Sequence, residues 1–183
     1  MPIDKSIDYS AITPEIKALT KLCLADNVIE PEMYVKYAVN RGLRDLNGNG
    51  VLTGLTEISE IQSSKMVDGE KVPCEGKLFY RGVDVEQIVS GFIREKRYGF
   101  EETVYLLLFG ALPDEAQLDD FKKLLAGYRS LPTNFVRDVI LKAPNADMMN
   151  TLARSVLTLY SYDARATDNS TENVLRQCLQ LIA

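Results

Sequence analysis

The densest set of oxygen donors in the chain is Asp45-Leu46-Asn47-Gly48-Asn49-Gly50. Donors at alternate positions, glycine at the sixth and apolar Leu52 at the eighth follow the opening of a helix–loop–helix calcium site. The pattern breaks at the twelfth position, where a bidentate acid should stand. Thr56 occupies it and Glu57 falls one residue late, so a plain turn is the better reading and a calcium-binding module the alternative. The carboxylate pairs Glu101-Glu102 and Asp119-Asp120 suggest acid–base work, but neighbours on a helix do not face each other. Glu101-Glu102, and Asp114-Glu115 after Pro113, sit where acids favour the start of a helix dipole. Arg81, in Tyr80-Arg81-Gly82, has the geometry to hold a carboxylate or phosphate. Anchoring a ribbon to Asp84 or Glu86 is the favoured role. Arg94-Glu95-Lys96-Arg97 is interrupted by an acid and reads as the solvated end of a helix.

The chain contains no histidine. That excludes Ser-His-Asp and Cys-His nucleophile systems and any metal site with a histidine ligand. Cys23, Cys74 and Cys178 lie far apart and form no CxxC pattern, as reduced thiols in a cytosolic protein would. With 21 basic and 26 acidic residues, a net charge of −5 excludes a general nucleic-acid binder. The opening Met1-Pro2-Ile3-Asp4-Lys5 has no apolar signal core, and no apolar run approaches the roughly 20 residues of a membrane span. The expected location is the cytoplasm, without membrane contact.

The elements that must position these residues are mainly helical. Of 183 residues, 46% are hydrophobic, enough for one core and a small appendage. Thr13 to about Asn40 reads as two short helices, the first capped by Thr13 with Pro14 in its opening turn, the second starting at Pro31. From Arg41 to Gly50 the chain is turn-rich. Short β-like runs follow: Val51 to Ile58, Lys65-Met66-Val67, and Gly76 to Gly82, with Asp68-Gly69 as a hairpin turn. Beyond Gly82 the periodicity predicts helices at Val85–Glu95, Glu101–Phe109, Asp114–Tyr128, Thr133–Lys142, Asp147–Tyr160 and from Ser170 onward, with Pro113, Pro132 and Pro144 between them. The helix from Asp147 is apolar on two sides, which places it deep in a core or between subunits. Val174, Leu175, Cys178, Leu179, Leu181 and Ile182 form a stripe without a stop signal, so the helix is expected to continue past Ala183 as part of a longer protein.

Several segments, in order and spacing, resemble the citrate synthase family. They are Gly42-Leu43-Arg44-Asp45 with Gly50 to Thr56, Val67-Asp68-Gly69, Gly76 to Ile88, Phe100 to Pro113, and Cys178 to Ala183. The resemblance implies a mainly all-α fold, the helical large-domain portion of that family's fold, with a small antiparallel hairpin near residues 51–82. Residues 1–46 would be an N-terminal helical arm, and 47–183 an incomplete large helical domain. It implies condensation of oxaloacetate with acetyl-CoA to citrate and CoA, with no separate cofactor. The family's catalytic Asp and two His lie downstream of the matched region, so this chain is expected to be inactive alone, with no catalytic and no metal-ligating residue of its own. The resemblance assigns Arg44 to CoA phosphate across a homodimer interface; pairing with Asp45 is the alternative. It also implies dimerisation through helices 147–183. Where the family often has His-Pro-Met, this chain has Asn145-Ala146-Asp147-Met148, which leaves the subfamily open. Alternatives are a 2-methylcitrate synthase, accepting propionyl-CoA, and a non-catalytic helical interaction module.

Overall fold

The computed structural model describes residues 8–40, 42–46 and 51–183. It is about 51% helical, with one small three-stranded antiparallel sheet. In chain order the elements are α1 Pro14–Ala25, α2 Pro31–Lys36, β1 Ser59–Val67, β2 Glu70–Tyr80, β3 Val83–Asp84, α3 Val85–Glu95, α4 Phe100–Phe109, α5 Glu115–Tyr128, α6 Met148–Leu159 and α7 Thr171–Ile182. A π-helical stretch, Val136–Leu141, precedes α6, and a 3-10 turn, Tyr160–Tyr162, follows it. The residues pack as two compact units. One joins the stretch ending at Lys21 to Asp120–Ala183, and the other is Leu22–Asp119.

In the unit Leu22–Asp119, two hairpin turns of the same kind shape the sheet. Val67 pairs with Glu70 around Asp68-Gly69, and Tyr80 pairs with Val83 around Arg81-Gly82. All four central residues have positive φ, between 49° and 85°, the conformation whose twist matches the flanking strands. Between Gln62↔Lys77 and Ser64↔Pro73 the register shifts. Pro73 thus sits beside an irregularity, where its missing N–H leaves less of the ladder unpaired. The expected β-run at Val51–Ile58 is irregular instead. Its partner strand runs out: Tyr80 opposes Ser59, the Arg81 N–H reaches the Ile58 carbonyl at 2.9 Å, and the chain then turns away. Buried side chains of this unit include Ile88, Tyr105, Leu106 and Phe109.

Acidic side chains cap several helix starts. Asp84 accepts from the Glu86 N–H (2.9 Å), and Asp147 from those of Met149 and Asn150. Asp114 and Gln117 cap α5 reciprocally, each side chain accepting the other's backbone N–H at 2.8–2.9 Å. The predicted α-helix at Thr133–Lys142 is instead the π-helical stretch, which begins only after Asn134, whose φ of 63° is left-handed. In its unit the buried apolar side chains include Ile16, Phe121, Leu125, Phe135, Leu175 and Leu179.

α4 stops at Gly110 (φ 83°), whose N–H reaches the Leu106 carbonyl at 2.9 Å. A Cβ there would lie 2.9 Å from that of Asp26, whereas one at Gly127 of α5 would meet nothing within 4 Å. Gly110→Ala is therefore expected to lose about 2 kcal/mol of unfolding free energy, through strain and crowding. Gly127→Ala should gain ~0.5 kcal/mol by restricting the unfolded chain. Urea denaturation of both variants checks the contrast; equal effects would contradict it.

Candidate functional site

Arg81, singled out by its neighbours in sequence, is held by carbonyl groups. It donates from Nε and Nη2 to the Leu107 carbonyl (3.2 and 3.0 Å), from Nη1 to that of Asp26 (3.3 Å), and from Nη2 to Asn27 Oδ1. Asn27 in turn donates to the Cys23 and Leu108 carbonyls. Neither α1 nor α4 has a basic residue in its last turn. Arg81 supplies the missing positive charge to both carbonyl-rich ends. The anchoring role expected from the sequence holds, but its partners are not Asp84 or Glu86. Asp84 instead caps its own helix and pairs with Lys77 at 3.2 Å. The Glu86 N–H keeps the Asp84 carboxyl below the usual range.

The other expected residues are more ordinary. Glu102 pairs with Arg97, which also bonds Glu95 and lies over the Phe92 ring at 4.8 Å. Of the cluster expected to be solvated, Arg97 is thus tied down by two acids, while Arg94 stays exposed. Asp120 lies 3.7 Å from Lys123 at the surface. In the calcium-like segment, Asn47–Gly50 lies outside the described residues. Thr56 turns its hydroxyl to the Ile58 N–H (3.1 Å), and Glu57 is exposed. Among the described residues no group of three or more potential ligands is placed to hold a metal ion. Arg44 is exposed, flanked by exposed Leu43 and Leu46.

In the unit containing α7, the structure assembles a polar centre that the sequence did not announce. Arg176 is 0% exposed. It donates to Asn173 Oδ1 twice (3.1 and 2.7 Å), the Tyr9 carbonyl (2.7 Å), Gln180 Oε1 (2.8 Å) and Asp163 Oδ2 (2.7 Å). Asp163 also accepts from Gln177 Nε2, the Arg165 N–H and Ser10 Oγ, each at 2.9 Å. Burial pushes its carboxyl pKa upward, but Arg176, Gln177, the Arg165 N–H and Ser10 outweigh that and hold it at about 2. A signal existed: Asn173, Arg176, Gln177 and Gln180 recur at helical spacing within an otherwise apolar segment. Amphipathic reading assigns such a stripe to solvent by default.

Beside this centre opens a half-enclosed cleft of about 390 Å³, lined by Tyr128, Leu131, Val156, Leu159, Tyr162 and Asp163 among others. A second, apolar groove of about 500 Å³ runs past Phe135, Leu141, Met148, Leu152 and Leu181. On α6, Met148, Met149 and Leu157 are 69–82% exposed. Asp163 is too weak a base, and Arg176 too fully engaged, to do proton transfer or anion capture here. The arrangement can hold a molecule or a surface.

Comparison with known proteins agrees with the motifs. Residues 45–183 match the family described as citrate synthase, C-terminal domain. A citrate synthase of Saccharolobus solfataricus is 33% identical over 107 residues, 58% of this chain and 26% of that protein. A 2-methylcitrate synthase 1 of Corynebacterium glutamicum is 33% identical over 116 residues, covering 63% and 26%. A 2-methylcitrate synthase of Shewanella oneidensis is 39% identical over 67 residues, covering 37% and 16%. These matches span about a quarter or less of the relatives' own lengths.

The buried pair generates a stability prediction. Asp163 titrates near 2 when folded, against 3.8 ordinarily. The lowered pKa stabilises the folded chain by about 2 kcal/mol above pH 4, and this is lost as pH falls from about 4 through 2. Asp163→Asn should remove that acid-limb dependence and, by leaving the Arg176 charge buried without its counterion, lose about 3 kcal/mol at pH 7. Urea denaturation across that pH range would show it; an unchanged acid limb would assign the dependence elsewhere.

Proposed function

Because the chain belongs to the citrate synthase family, we propose that it is the amino-terminal part of an enzyme that condenses oxaloacetate with acetyl-CoA to give citrate and CoA. The observation that carries this reading is the family match across residues 45–183, about three quarters of the chain. The chemistry requires a carboxylate base to take a proton from a very weakly acidic methyl group while a donor stabilises the enol oxygen. This chain has no histidine. The catalytic Asp and His residues belong to the rest of the enzyme, and the 183 residues alone are inactive. Residues 1–46 act as an N-terminal arm and 47–183 as part of the large helical domain, working in the cytoplasm without a cofactor. Among the described residues no helix is long and apolar enough to cross a membrane.

Two relatives are named 2-methylcitrate synthases. That supports a second reading in which the thioester is propionyl-CoA. The side chains that discriminate one methylene lie outside this chain, so comparing both thioesters with the complete enzyme decides between them.

Within this reading Arg44 holds a CoA phosphate, for which its exposure and permanent charge suit it. Arg44→Ala in the complete enzyme should raise the KM for acetyl-CoA about tenfold and leave that for oxaloacetate unchanged. Steady-state CoA release with each substrate varied would test it, and unaltered kinetics would take Arg44 out of the site. The complete enzyme is a homodimer joined through helices 147–183, a reading supported by the exposed apolar side chains of α6. The chain itself should then self-associate at micromolar concentration in light scattering. A monodisperse monomer would count against this interface.

A further inference from the structure

Three departures from ordinary geometry collect in the segment that leads into α6. Val136–Leu141 is wound as a π-helix, a form rare in proteins and mostly confined to single turns. Asn134, just before it, has a left-handed φ of 63°. The Nε of Arg154, on α6, is shielded from water and has no hydrogen-bond partner among the described residues.

The shielding comes from this chain, and that restricts what can relieve it. A donor closed even to water is out of reach of a ligand or another chain. Only movement of the segments packed against it can bring an acceptor. The Arg154 guanidinium already touches one such segment: Nη2 donates to the Ala143 carbonyl at 2.6 Å, just past the π-helical stretch. Arg81 shows the complete form of this contact, with Nε and Nη2 both on the Leu107 carbonyl at 3.2 and 3.0 Å. At Arg154 the fork is half made. A modest shift of the Ala143 carbonyl toward Nε completes it.

The stretch has the means to make that shift. Its start is anchored, because the Phe135 ring is buried against Tyr162 with 5.9 Å between centroids. Its first turn already contains an α-type bond, from the Asp138 N–H to the Asn134 carbonyl at 2.9 Å. Beyond that bond the π pattern takes over. Rewinding as α reduces the residues per turn, so the far end rotates and advances along the axis, and Ala143 moves with it. The charges favour the α form. Asp138 and Lys142 stand four apart with the acid first, the better orientation for an α-helical ion pair. In the observed winding Asp138 bonds its neighbour Arg137 instead, at 2.8 and 2.9 Å. Arg137 does most to hold the Asp138 carboxyl below its usual range, and Lys142 least.

We propose that residues 136–143 form a two-state element that alternates between π and α winding, with Arg154 as the latch that closes on the α form. The change re-aims Ile140 and Leu141, which line the apolar groove beside α6, so the groove changes shape with the winding. The switch is independent of the proposed reaction.

The test is NMR relaxation dispersion on the 183-residue chain, which detects exchange on the microsecond-to-millisecond scale of helix register shifts. Backbone amides of residues 136–143 and the Arg154 Nε–H should share one exchange rate and one minor state of about 1–10%. α5 and α7 should stay silent. Arg154→Lys, which cannot form the fork, should lower that population at least about fivefold. Lys142→Glu turns the α-form ion pair into a repulsion at an exposed position. It should lower the population about threefold while leaving the unfolding midpoint unchanged. Absence of dispersion at residues 136–143 would overturn the proposal, as would exchange there that the Arg154 Nε–H does not share. A population that neither substitution alters would overturn it too, since the motion would then owe nothing to the latch.

Discussion

A guanidinium removed from water needs an acceptor for each of its five N–H donors. Arg176 finds five contacts, and they come from three separate parts of the chain: the Tyr9 carbonyl, Asp163, and the Asn173 and Gln180 side chains of α7 itself. Losing one of them would leave a buried charge partly unpaired, so the three segments are placed together or not at all. Asp163 extends the constraint. It accepts from Ser10, whose oxygen in turn accepts the Ala164 N–H at 2.7 Å. Two stretches about 150 residues apart in sequence are thus fixed by one network. The cleft follows from it, because Tyr9, Asp163, Gln177 and Gln180 are both network members and cleft wall.

Arg81 repeats the principle in the other unit with different acceptors. It gathers carbonyls from the ends of two helices, and its backbone occupies a positive-φ position in the second hairpin turn. The side chain's aim is therefore set by the turn that presents it. Both arginines illustrate why a charged residue beside glycine, or within a polar stripe, is a poor guide to ligand binding. Backbone carbonyls and amide oxygens near helix ends compete for the same donors, and they are already in place when the chain folds. Arg44, which lies on an exposed irregular stretch, differs from them in position.

How much of this was legible depended on whether the signal was local. Asp68-Gly69 specified its turn because only a few residue types tolerate two successive positive φ values. The prolines marked the gaps, and Thr13, read as the cap of α1, accepts the Ile16 N–H at 3.4 Å, since capping involves residues two or three apart. The second turn was missed because arginine is not a usual occupant of such a conformation. The π-helical stretch was missed because apolar periodicity does not distinguish windings over six residues. The Arg176 centre was missed for a different reason. Its partners are set by tertiary closure, and a polar stripe looks the same in sequence whether water or another segment satisfies it.

The chemistry of α6 shows how a helix can be prepared for burial on several sides. Its hydroxyl groups fold back on the helix: Thr151 donates to the Asp147 carbonyl (3.4 Å), Ser155 to that of Thr151 (2.8 Å) and Thr158 to that of Arg154 (2.8 Å). Such back-bonding removes polar demand from the surface of the helix. Arg154 also turns away, donating to the Ala143 carbonyl at 2.6 Å. What α6 presents outward is therefore dominated by Met148, Met149, Leu152 and Leu157. Covering these side chains would strand few polar groups and remove several large apolar surfaces from water at once. A helix facing solvent permanently has no need for that arrangement, whereas one enclosed within a larger helical assembly does.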